Sequence, residues 1–90
     1  MSHIPLHKAK RGSVLRIEGI PEGKSRALLL RLGILKGEVV RCLERLPGGT
    51  IVLEKNRQEI AVGFALASTI LVAVIPDGHA GTQRKKADVA

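Results

Sequence analysis

The chain has 90 residues, 44% of them hydrophobic and 26% charged, which points to one globular domain and excludes a chain that is disordered throughout. A domain of this size buries only about 60–65% of its unfolded surface, so it folds with little stability to spare. The formal charge is +7, spread as +3 over residues 1–11, +3 over 12–75 and +1 over 76–90, a diffuse surplus rather than the stripe of a nucleic-acid footprint. In chain order, residues 13–18 read as a strand, with Leu15 and Ile17 on one face and Arg16 and Glu18 on the other. Gly19-Ile20-Pro21-Glu22-Gly23 is turn chemistry. A leucine-rich helix follows over about 24–32 and stops at Gly33, which suits the left-handed position past a helix end. Gly37 then opens a second strand over 38–45. Pro47-Gly48-Gly49 is a hairpin connection to a third strand over 50–55. Asn56-Arg57 is a tight hairpin turn, Asn56 tolerating positive φ, and the fourth strand covers 58–62. After Gly63 a single helical turn is expected at about 64–68, then a last strand over 69–75.

The gaps between the second, third and fourth strands are too short for crossovers, so these neighbours are antiparallel. The predicted fold is mainly β: a small, partly open SH3-like barrel of about five antiparallel strands with one short helix and a helical turn. Residues 1–4 are expected to be a flexible N-terminus, 5–76 the domain, and 77–90 a disordered basic tail. Phe64 is the one aromatic residue, so the core must be built from Leu, Ile, Val and Ala.

No segment reaches the roughly 18 apolar residues of a membrane span, and Met1-Ser2-His3-Ile4-Pro5-Leu6 lacks the apolar run of a secretory signal. The single cysteine, Cys42, forms no internal disulfide, and a cytoplasmic location is expected. Cys42 alternates with Val40 and reads as a small buried hydrophobe. His3 and His7 lie four apart, but Pro5 opposes the helix that would align them, and His79 stands in the tail. No metal site and no cofactor are expected. The acids alternate with apolar residues or sit in turns, so no catalytic dyad is expected and the chain does not read as an enzyme. Gly48-Gly49 is followed by a strand and by no Lys-Ser or Lys-Thr, so it is not a phosphate loop.

The leucine helix carries the remaining signal. At about 100° per residue Leu28, Leu29 and Leu32 cover one side, while Leu30 lies roughly opposite Leu28. One stripe cannot hold all four. Either the helix is pinched between barrel and loop and all are core, or Leu28, with Leu35, forms an apolar patch for a partner, rimmed by Arg26, Arg31 and Lys36.

Taken together, Arg26-x-x-Leu29-Leu30-x-Leu32-Gly33-Ile34-x-x-Gly37, Val39, Gly48-Gly49-x-Ile51-Val52, Arg57-Gln58-Glu59-Ile60-Ala61-Val62-Gly63, Leu66-Ala67 and Ile70-Leu71-Val72 resemble the FeoA family. Pro5-Leu6 and Gly12-x-Val14 resemble its usual opening, so the likeness covers about residues 5–75. It makes Leu29, Leu32, Gly33, Gly37, Gly48, Gly49 and Gly63 the structural motif positions. The resemblance implies an SH3-like barrel and a non-catalytic accessory role in ferrous iron uptake. The implied partner is FeoB, a membrane permease with a cytoplasmic G-protein domain, through which the chain is peripheral to the membrane. A related domain occurs at the C-terminus of iron-dependent repressors. Leu28 stands where the family often has a polar residue, and Phe64 where a charged one is common. Both add apolar surface, so self-association stays open. Nucleic acid is not an expected partner; a nucleic-acid-binding small barrel or a metal-responsive regulatory module is the alternative reading.

Overall fold

The computed structural model describes residues 3–76; the tail expected at 77–90 lies outside the described residues. The strands are β1 (Ile4–Pro5), β2 (Val14–Gly19), β3 (Val39–Arg45), β4 (Ile51–Lys55), β5 (Gln58–Val62) and β6 (Leu71–Val74). The helices are α1 (Lys24–Leu32) and α2 (Phe64–Ala67), and a 3-10 turn covers Leu6–Lys8. All pairings are antiparallel, in the order β1-β6-β2-β3-β4-β5. The fold is therefore mainly β and of the small SH3-like kind.

Alternation along the strands builds the core. Leu15 pairs with Val40 and Cys42 with Leu53, and all four side chains are fully or almost fully buried. Their neighbours along the strands, Arg16, Val39, Arg41 and Glu54, belong to the outer face. Leu6, Ile34, Ala67 and Ile70 close the core from the connections. The 3-10 turn follows one edge strand and α2 follows the other, and these two short elements pack together. That contact curls the sheet towards a barrel.

Three features differ from the sequence reading. The sheet has a sixth strand, β1, whose Ile4 pairs with Val72 and Pro5 with Leu71. Two residues, one of them proline, carry no readable period, so only pairing reveals it. The last strand is shorter than 69–75, because the Ile70 amide donates to the Ala67 carbonyl and closes the turn after α2. Lastly, the hairpin turn needs positive φ at Arg57 as well as Asn56 (68° and 52°), as a type I′ turn requires at both central positions.

Candidate docking surface on the leucine helix

Among the described residues the longest helix, α1, is inserted between β2 and β3, which are hydrogen-bonded neighbours. At nine residues α1 is too short to be stable alone, so tertiary contacts must hold it. Of its four leucines only Leu29 is buried; Leu28, Leu30 and Leu32 are 42%, 46% and 36% exposed. Of the two readings left open for the helix, the one in which all four leucines are core is thus excluded. The helix rests on the narrow line of Leu29, and its broader apolar surface faces solvent. Leu28 and Leu32 lie about 40° apart on one flank, and Leu30 about 160° from Leu28 on the other.

Gly33 ends the helix in the left-handed conformation (φ 80°), its amide donating to the Leu29 and Leu30 carbonyls. Ile34 follows into the core, its amide donating to Leu29. The Lys55 ammonium, from the end of β4, donates to the Gly33 carbonyl at 2.8 Å and lies 3.4 Å from Glu38. A cation on the last carbonyls complements the negative end of the helix dipole. Lys55 is a residue that sequence reading missed, because its partners lie far away along the chain. Lys55→Met is expected to lower unfolding free energy by about 1–2 kcal/mol in urea titrations, most of it from the carbonyl bond rather than the half-exposed ion pair. Unchanged stability would mean that the helix end is held without it.

Beside Leu30 the helix and the turn after β2 enclose an open groove of about 560 Å³. Ile20, Leu30 and Leu35 supply its apolar surface, and Glu18, Glu22, Arg26 and Lys36 supply its charges. Glu18 accepts a 2.5 Å bond from the Arg16 guanidinium, and this partner holds its carboxyl below the ordinary value of 4.5. Glu22, Arg26 and Lys36 enter no ion pair among the described residues. The helix itself carries Lys24, Arg26 and Arg31 and no acid.

The candidate residues therefore divide. Arg26, Leu35 and Lys36 meet in the groove, while Leu28 and Arg31 do not line it. Leu35 accompanies Leu30, not Leu28. Leu30 was missed because a helical wheel cannot say which leucine the core selects. Among the described residues there is no cluster of three or more His, Cys, Asp or Glu fit to hold a metal ion. Cys42 is fully buried, and burial pushes its thiol above the ordinary value of 9.0, which leaves it protonated and inert. No helix among the described residues is long and apolar enough to cross a membrane.

A curled antiparallel sheet with a helix set between adjacent strands defines a small SH3-like domain, and its least covered element is α1. The chain belongs to the FeoA domain family, whose model matches residues 4–74. It is similar to a crystal structure of an iron uptake regulatory protein (FeoA), with 25% identity over 82% of this chain and 100% of that one, at a TM-score of 0.75. A FeoA-like protein from Clostridium acetobutylicum is 27% identical over 83% of this chain and 90% of that one, at a TM-score of 0.73. The repressor ScaR, in a structure with bound Zn2+, shares the fold at 24% identity and a TM-score of 0.74, over 80% of this chain and 37% of its own length. Comparison with curated proteins finds no match. Leu28 and Phe64 are both exposed, at 42% and 51%.

Proposed function

We propose that this chain is a non-catalytic accessory protein of ferrous iron uptake that docks, on the cytoplasmic side, onto a FeoB-type permease. Membership in the FeoA domain family supports the iron-transport role. The observation that carries the docking surface is the exposure of three of the four leucines of α1 beside Arg26 and Arg31. An apolar anchor inside a basic rim is the arrangement that gives affinity at its centre and orientation at its edge. The partner embraces both flanks of α1: Leu30 and Leu35 are the anchors on the groove side, rimmed by Arg26 and Lys36, and Leu28 is the anchor on the opposite flank, beside Arg31. Ferrous iron is the permease's cargo and needs no ligand on this chain.

The test is binding of the purified chain to the detergent-solubilised permease. Leu28→Asp and Leu30→Asp are each expected to weaken binding at least about 10-fold, equivalent to about 1.4 kcal/mol, while keeping the parent's cooperative melt. If both fold and bind like the parent, α1 is not the docking surface.

A further inference from the structure

The strand at the far end of the sheet, β5, pairs with β4 on one side and, among the described residues, with nothing on the other. Its hairpin turn has two residues, so Lys55 and Gln58 form the hydrogen-bonded closing pair. The alternation that follows points the peptide groups of Gln58, Ile60 and Val62 at β4. Those of Glu59 and Ala61 point outward, and none is used in a turn or loop bond among the described residues. Both residues are exposed. The edge carries no proline and no bulge to blunt it.

We infer that β5 is a self-complementary edge that pairs with β5 of a second copy of this chain, antiparallel about a two-fold axis at Ile60. This goes beyond the docking function and does not rest on it. Alternation allows a two-fold axis at Glu59, Ile60 or Ala61, and the axis at Ile60 is the one that sets the two half-buried Ile60 side chains against each other. Glu59 of one copy faces Ala61 of the other, and these two form the hydrogen-bonded pairs, twice over. All four outward peptide groups are then satisfied. Ile60 meets Ile60 as a non-hydrogen-bonded pair, where side chains approach most closely. Ile60 is only half-buried in the single chain and packs at the border of the core, so the second copy covers it.

Charge excludes one of the alternatives. Pairing centred at Glu59 would set two carboxylates directly opposite each other, whereas centring at Ile60 sets each against an alanine. The cationic turn residue Arg57 is also carried to the end of the other strand, where Phe64 stands half-exposed; an exposed ring attracts a cation. A second copy of α1 would be a worse occupant of its own face, because that helix carries three cations and no acid. The β5 contact is small, so the dimer is weak and depends on concentration.

Sedimentation velocity of the full chain from about 10 μM to about 1 mM is expected to show the mass rising from monomer towards dimer, as befits a small interface. Over the same range, the Glu59 and Ala61 amides are expected to gain protection from hydrogen exchange. The Ile60 amide stays protected throughout. Ala61→Pro removes an outward N–H that the single chain does not use, and an edge strand tolerates it; it is expected to hold the chain monomeric. Ala61→Glu sets two carboxylates opposite each other and is expected to raise the dimer Kd at least about 10-fold. Adding Glu59→Lys restores pairing with opposite charges face to face. A parent that remains monomeric at the highest concentration overturns the proposal. So does a dimer that Ala61→Glu leaves unchanged or that Glu59→Lys fails to restore.

Discussion

Leu29→Ala is expected to destabilise the domain by about 3 kcal/mol, whereas Leu28→Ala, one residue earlier, costs less than about 0.5 kcal/mol. The two substitutions delete the same atoms from the same helix. Leu29 is fully buried in the central core, whereas Leu28 is 42% exposed and lies outside it. Truncating Leu29 removes its transfer free energy and leaves a cavity that the sheet beneath cannot collapse to fill. It also removes the one buried side chain of α1, and a nine-residue helix does not persist without its anchor. At about 4–8 °C per kcal/mol for a domain of this size, the midpoint should fall by about 12–24 °C. Thermal melts of the two variants side by side provide the measurement. Equal losses would mean that α1 is rotated about its axis from the placement described above.

Gly49→Ala is the second large effect, at about 2–4 kcal/mol, and Gly48→Ala is its control at about 1 kcal/mol. Both glycines have left-handed backbone, with φ 89° at Gly48 and 95° at Gly49. A side chain pays the backbone strain at either position. Only at Gly49 does it also collide: an added Cβ would lie 2.6 Å from Phe64 Cδ1 and 2.9 Å from Phe64 Cβ, whereas at Gly48 nothing lies within 4 Å. Phe64 cannot swing aside freely, because its ring stands edge-on to His7 with centroids 5.1 Å apart. That aromatic pair lies where α2 meets the 3-10 turn, so the collision strains the contact that closes the barrel. In urea titrations, Phe64→Ala is expected to recover about 1 kcal/mol of the Gly49→Ala loss, because the two positions share one contact. Strict additivity of the two substitutions would show that the ring does not oppose the added methyl.

The helix boundaries 24–32 and the strand 58–62 are found where hydrophobic period, glycine and turn residues placed them. Those signals are local. The Gly33 terminus and the Asn56-Arg57 hairpin are decided by steric rules acting over a few residues. The burial of Cys42 follows from the same two-residue period as its strand neighbours. The family likeness was legible for a related reason, because small and apolar residues recur at a spacing that fits one arrangement of turns. The candidate docking surface was only half legible. Arg26, Leu35 and Lys36 do meet, but their apolar companion is Leu30, and a helical wheel gives angles without saying which angle faces the core. Lys55 and the pairing of Ile4 with Val72 join residues remote in sequence, and no local pattern announces either.

By itself the sequence determined a small β domain with an aliphatic core and one inserted helix, because alternation, capping and turn chemistry are properties of neighbouring residues. The tertiary structure alone decided which leucine anchors the helix and which ones reach solvent. It alone placed Phe64 over Gly49, set Lys55 on the end of α1, and left one edge of β5 open among the described residues. Each of these depends on how the sheet curls, and that is settled by the packing of segments brought together from distant parts of the chain.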